Sequence, residues 1–299
     1  MKHLTSINLL ESSEILSLIE RAHFFSESLK NKSHIPQVLQ NTVVTNLFFE
    51  HSTRTKFSFE VAAKRLGAYV LNFHSESSSL AKGETLYDTL RTFEALGTDI
   101  AIIRHSDDSY IESLKDKHYF SVINAGAGRF EHPSQSLLDL FTIHQEFKQI
   151  NNLTILICGD IINSRVARSN INALKKFNCK ILLAGPAQLL PSATEIESHC
   201  EVVNIDDGLK RADVAMFLRV QHERHDLYEL NTNNYNKLYG LNQERLELMP
   251  KHAIFMHPGP FNRDVEIEGS LIEHKKSRIF KQKENGVYTR MSILEWIKS

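Results

Sequence analysis

No stretch of this chain is apolar for long enough to span a bilayer. Neither charge is in surplus: 35 basic residues stand against 36 acidic ones, a net charge of −1, which gives no general attraction to nucleic acid or membrane. Any anion site must therefore be local. Cysteine is scarce; Cys158, Cys179 and Cys200 are far apart, odd in number and without a CxxC pair, and read as buried free thiols in a reducing cytoplasm rather than as a disulfide framework. The 15 histidines lack zinc-ligand spacing, so no metal is expected, and nothing in the pattern calls for a cofactor. Repeats, low-complexity tracts and Pro/Gly-rich linkers are missing. So is a GxGxxG after a strand, since Gly126-Ala127-Gly128-Arg129 runs on into Phe and Glu, and this argues against a dinucleotide-binding module. The N-terminal MKHLTSINLLESSEILSLIERA is an amphipathic helix pattern interrupted by Glu and Arg, without the apolar core of a signal peptide.

What is present is alternation. Thr42–Phe49, Ala68–Phe73, Asp99–His105 and Ser121–Asn124 read as strands, with helical segments such as Thr85–Leu96 between them. His132–Gln149 reads as a long helix, after which Leu153–Cys158, Lys180–Ala184, Asp213–Val220 and His252–Met256 repeat the pattern. With 299 residues, 41% hydrophobic and 24% charged, the length suits two compact domains of about 150 residues each. The expected fold is α/β: two similar domains, each a mostly parallel sheet flanked by helices, joined by long linking helices and divided into 1–142 and 143–283. In the last segment, Gly286–Ser299, the residues Val287, Met291, Leu294 and Ile297 share one helical face that must dock somewhere.

The densest chemistry lies in FFEHSTRTKFSFE, Phe48 to Glu60. A buried strand runs into hydroxyls and an arginine where a helix should start, because Phe57, Val61, Ala62 and Leu66 recur at helical spacing. Unpaired N–H groups of that first turn, the hydroxyls of Ser52, Thr53 and Thr55 and the guanidinium of Arg54 together suit a phosphate. An ordinary N-cap is the alternative, since Ser and Thr are common helix starters. Other polar residues follow strand ends, where ligands bind in open parallel sheets: Arg104 and His105, His132 and Gln135, Arg165, Arg219 and Gln221, and His257-Pro258-Gly259-Pro260. Each alone is more often a solvated charge or a hydrogen-bonded core histidine. Four arginines, counting Arg54, and the histidines among them around one crevice are harder to assign to chance.

The Ser-Thr-Arg-Thr loop with its Ser-Phe-Glu helix resembles the carbamoyl-phosphate loop of the aspartate and ornithine carbamoyltransferase family, and the resemblance covers nearly the whole chain. It implies that Ser52, Thr53, Arg54, Thr55 and Arg104 hold phosphate. His132 of His132-Pro133-Ser134-Gln135 would donate to the carbamoyl carbonyl, Gln135 would orient the carbamoyl group, and the carbonyls of Pro258 to Pro260 would accept from its amide. Arg165, Arg219 and Gln221 would meet the carboxylates of aspartate. The loop SSSLAKGETLYDT otherwise reads as a solvated turn. In the member that uses aspartate its serine, here Ser79 with Ser78 as the alternative, and its lysine, here Lys82, reach into a neighbouring subunit's site. The resemblance thus implies a homotrimer with shared active sites, and admits a larger assembly with a regulatory chain or a dihydroorotase. On this reading domain 1–142, with helix 284–299 packed back on it, binds carbamoyl phosphate, and domain 143–283 binds aspartate.

The implied reaction is attack of the aspartate amine on carbamoyl phosphate, in the committed step toward pyrimidine nucleotides. Arg54, Thr55, Lys82, Arg104 and His132 would be the catalytic set, with His132 a neutral donor among the arginines. An ornithine carbamoyltransferase is the nearest rival. The HPGP turn, the Lys82 loop and Arg219-Val220-Gln221 stand against it, because arginines would repel ornithine's distal ammonium. A catalytically silent scaffold homologue is the rival from another class. Asn163, Asp264 and Ala127 depart from the residues most often seen at their positions, histidine, glycine and aspartate respectively.

Overall fold

A computed structural model describes residues 1–73, 83–114, 120–192, 194, 199–220 and 232–299. In chain order these form α1 (Ser12–Lys30), β1 (Val43–Phe48), α2 (Thr53–Arg65), β2 (Tyr69–Asn72), α3 (Leu86–Ala95), β3 (Ile100–His105), α4 (Tyr110–Ser113), β4 (Ser121–Ala127) and α5 (Pro133–Phe147). There follow β5 (Thr154–Cys158), α6 (Arg165–Lys175), β6 (Lys180–Ala184), β7 (Cys200–Val202), α7 (Ile205–Arg211), β8 (Val214–Phe217), α8 (Thr232–Tyr239), α9 (Gln243–Leu248), β9 (Ile254–Met256) and α10 (Ile279–Lys298). The chain divides into two compact units, Met1–Phe141 with Lys283–Ser299, and Thr142–Gln282. No helix of the described residues is long and apolar enough to cross a membrane.

The first unit is built on a parallel sheet ordered β2-β1-β3-β4. Its inner strands are buried along nearly their whole length, as a sheet covered on both faces requires. Leu47, Ala101, Ile103, Val122 and Phe120 pack with Leu90 of α3 and Tyr110 of α4. Helix α10 lies against α1, where Ser292 Oγ donates to the Leu18 carbonyl at 2.8 Å and Arg21 pairs with Glu295. The second unit holds a parallel sheet ordered β7-β6-β5-β8-β9. Its central strands TILIC, KILLA and VAMF are near-continuous apolar runs, and they pack with Leu209 of α7 and Leu246 of α9.

Several elements differ from the sequence reading. The buried face of α2 is Phe59, Ala62, Ala63 and Leu66, whereas Phe57 and Val61 are 55% and 39% exposed. Both sets have helical spacing, and the packing against the sheet selects the first. Strand β4 continues through Gly126 to Ala127, because Ala127 pairs with His105 and its N–H donates to the Glu131 carbonyl at 3.0 Å. Gly128, at φ 41°, opens the turn that continues through Arg129 and Phe130. Strand β8 ends at Phe217, short of Arg219. Strand β7 and helices α4 and α6 to α9 add to the elements expected from the sequence; β7 is only three residues long and carries no alternation to detect. Helix α10 begins at Ile279 rather than at 284. Gly286 lies inside it for a packing reason: a Cβ there would lie 2.5 Å from Nη1 of the buried Arg290.

Candidate functional site

The connectivity of each sheet fixes where a ligand would meet it. In the first unit β1 leads outward to β2, and the chain then returns to the other side of β1 for β3, so the strand order reverses between β1 and β3. Such a reversal opens a crevice at the carboxyl ends of the two strands. The segment Glu50–Thr55 follows β1, and Arg104 is the register partner of Phe48 at the end of β3, where the Phe49 N–H donates to the Arg104 carbonyl at 2.9 Å. His132 follows β4, the next strand across.

Ser52 is the N-cap of α2 in extended conformation, yet its side chain makes no cap bond. An N-cap serine normally spends its hydroxyl on the N–H groups of the first turn. Here Ser52 leaves that role untaken, and a helix start of this kind is a ready site for an anion. Thr55 is buried, while Thr53 and Arg54 are exposed at the same turn. Arg104 is held from two sides: its Nε lies 3.2 Å from Glu50 Oε2 and its Nη1 donates to the Ala125 carbonyl at 3.4 Å. His132 is buried and opens α5, its carbonyl accepting from the N–H of Gln135 at 2.9 Å and of Ser136 at 3.3 Å. The Ser134 hydroxyl sits 3.4 Å from its Nδ1; with that hydroxyl donating, Nε2 carries the imidazole proton and can give a hydrogen bond. Gln135 lies within the same turn, its Nε2 donating to Asp139 Oδ1 at 2.9 Å.

Two residues of this cluster escaped the sequence reading. Glu50 steadies Arg104, and its only sequence signal was its place beside the loop. Lys283, on α10, has its ammonium pulled below the ordinary lysine range by burial and by the charge of Arg54. Nothing in a helix more than two hundred residues downstream marked it. Two cations that disfavour each other are a setting in which an anion is welcome.

The second unit repeats the device. Strands β5, β6 and β7 step one way, β8 and β9 the other, so the order reverses between β5 and β8. Gly159, just past β5, has φ +128°, and a Cβ there would come within 2.9 Å of the Leu218 carbonyl. That close approach sets the loop leading to Arg165 beside the Leu218-Arg219 segment. Arg165 is the first residue of α6, whose N-cap Ser164 accepts from the Ala167 N–H at 3.1 Å. Arg165 and Arg219 are each half-buried. The turn Pro258–Pro260 follows β9, braced by the Gly259 N–H donating to His257 Nδ1 at 2.9 Å.

The three departures from the usual pattern now have local contexts. Asn163 donates through Nδ2 to the buried Asp160 at 2.9 Å. Asp264 has φ 66°, a conformation that favours glycine, and its carboxylate accepts from the Gly269 N–H at 2.8 Å. Ala127 is a buried strand residue. Ser79, Lys82 and Gln221 lie outside the described residues.

Thiol chemistry does not suit the cluster, since burial pushes Cys158 up to about 12 and Cys179 up to about 11. Cys200 is half-buried, and all three thiols are free. Among the described residues no group of three or more His, Cys, Asp and Glu is placed to hold a metal ion.

Comparison with known proteins extends over the whole chain. Residues 2–145 match the family described as aspartate/ornithine carbamoyltransferase, carbamoyl-P binding domain, and residues 151–297 match its Asp/Orn binding domain. The chain is 46% identical over 304 residues to an aspartate carbamoyltransferase catalytic subunit from Oceanobacillus iheyensis, covering 100% of this chain and 94% of the relative. Among solved structures it is similar to aspartate transcarbamoylase from Trypanosoma cruzi in complex with N-(phosphonacetyl)-L-aspartic acid, with a TM-score of 0.91, 31% identity, and 98% and 95% of the two chains covered. The same enzyme in complex with carbamoyl phosphate gives a TM-score of 0.90 at 30% identity, again covering 98% and 95%.

Proposed function

This chain belongs to the aspartate/ornithine carbamoyltransferase family, and we infer that it transfers the carbamoyl group of carbamoyl phosphate to the amino group of L-aspartate, giving N-carbamoyl-L-aspartate and phosphate. The product belongs to pyrimidine nucleotide synthesis. The observation that carries the reading at residue level is the uncapped first turn of α2, with Arg104 in register beside it.

On this proposal the first turn of α2, with Ser52, Thr53, Arg54 and Thr55, and Arg104 take the phosphate, while His132 Nε2 and the Thr55 hydroxyl face the carbamoyl carbonyl. The amine of aspartate attacks the carbonyl carbon, a C–N bond forms, and the carbonyl electrons move onto oxygen. Donors placed at that oxygen stabilise the tetrahedral species. When the carbonyl re-forms, the C–O bond to phosphate breaks and its electron pair leaves with phosphate, which can also accept the proton lost by the amine. Arg54 stabilises the departing anion, and Lys82 would add a second charge. Arg165, Arg219 and Gln221 are assigned to the carboxylates of aspartate, an assignment supported by the reversal point at which Arg165 and Arg219 lie.

A homotrimer with shared active sites and a cytoplasmic location are part of the proposal. In favour of association, Phe57 and Val61 on α2 and Tyr69 and Leu71 on β2 are exposed apolar residues on neighbouring elements.

The carboxylate assignment has its own test. Replacing Arg165 or Arg219 with methionine is expected to raise the aspartate KM about 10- to 100-fold, the scale of one charged hydrogen-bond pair, with the carbamoyl phosphate KM moving by no more than about twofold. Steady-state kinetics with each substrate varied in turn would check this. An unchanged aspartate KM in both variants would remove these arginines from the site.

A further inference from the structure

Behind Gln135 lies a buried arrangement that no step of the reaction uses. Asp139, one helical turn on, is fully buried and accepts the Gln135 side-chain amide at 2.9 Å. An ionised carboxylate can only accept. With Asp139 ionised, Gln135 turns its NH2 inward as this hydrogen bond has it, and Oε1 is the end of the amide left for a ligand.

Arg290 of α10 lies within reach of the Asp139 charge. Its guanidinium is buried, Nη1 donates to the Gly286 carbonyl at 3.1 Å, and Cζ lies 4.9 Å from the ring centre of Phe59 in α2. Leu138 packs beside Gly286, which places this turn of α10 against the turn of α5 that carries Asp139. Burial weakens the guanidinium's hold on its proton, and the Asp139 charge opposes that effect. Each group thus stabilises the charged form of the other. Arg290 also touches the helix of the phosphate loop through Phe59, while the charge of Asp139 on α5 acts on it.

We propose that Asp139, with Arg290 behind it, is a positioning residue for substrate choice: it holds Gln135 with Oε1 presented to the carbamoyl NH2, so that the site selects an acyl phosphate bearing an N–H donor. This rests on the carbamoyl-transfer reading and adds to it the origin of its selectivity. The carbonyl end of the substrate meets donors, and the amine end meets an acceptor whose direction is set from behind. If Asp139 became a neutral amide, Gln135 could face the substrate with either end.

The probe is acetyl phosphate, which has a methyl group where carbamoyl phosphate has the amine. In Asp139→Asn the carbamoyl phosphate KM is expected to rise about tenfold while the inhibition constant of acetyl phosphate against carbamoyl phosphate stays within about twofold, the loss of one hydrogen bond being felt by one ligand only. Gln135→Met, which leaves the carboxylate in place, is expected to narrow the ratio of the two constants in the same way. Adding Asp139→Asn to it should narrow the ratio no further. Parallel weakening of both ligands in Asp139→Asn would show a merely structural role and overturn the proposal. If that variant does not fold, an unchanged ratio in Gln135→Met overturns it alone. Aspartate-dependent turnover of the unmodified chain is measured first: its absence removes the underlying reading and this proposal with it, whereas normal turnover with an unchanged ratio removes this proposal only.

Discussion

Arg54→Ala is expected to lower turnover by about 10³-fold while the subunit stays folded. The expectation has two parts with separate causes. Arg54 stands in the first turn of α2, exposed and away from the buried face formed by Phe59, Ala62, Ala63 and Leu66. Alanine is a good helix residue, so removing the guanidinium costs the fold little. It even relieves the repulsion that Arg54 exerts on Lys283. Catalysis loses more, because the phosphate leaves with a growing charge that a planar guanidinium can grip through two oxygens at once. Initial rates together with a thermal melt would check both parts. Near-normal rates would overturn the phosphate assignment, and a lost melt would show that the residue is structural.

His132→Ala is expected to reduce kcat about 10²- to 10³-fold with a much smaller change in the carbamoyl phosphate KM, the pattern of a donor that acts mainly on the developing oxyanion. The backbone of His132 opens α5 through its carbonyl, which alanine retains. Loss of the imidazole should therefore leave the helix start in place. The effect should also differ in kind from that of the Arg165 and Arg219 variants, where the aspartate KM carries the loss. Single-turnover rates at saturating substrates would separate the two. A large rise in KM without a fall in kcat would make His132 a binding residue only.

The α/β class and the strand-end arginines were legible because buried parallel strands read as apolar runs and sheet ligands gather at strand ends. The sequence could not tell which of two helical stripes α2 buries, since Phe57, Val61 and Phe59 are all apolar and the choice is made by the sheet. Nor could it tell why a glycine stands at 286 inside α10, because the reason is a guanidinium from the next turn. Lys283 and Arg290 share this problem: their partners are far away in sequence, and only the docking of α10 reveals them. Asp264 was seen as a departure from glycine, but its positive φ and its bond to the Gly269 N–H needed coordinates. Ser79, Lys82 and Gln221, read from resemblance, fall outside the described residues and stay with the proposal.

Phosphate release from carbamoyl phosphate by the purified chain, with L-aspartate and L-ornithine offered in parallel and the product identified by mass, tests the central claim most directly. The expected result is turnover with aspartate, a product of the mass of N-carbamoyl-L-aspartate, and none above background with ornithine. Turnover with ornithine instead, or with neither acceptor, would contradict it.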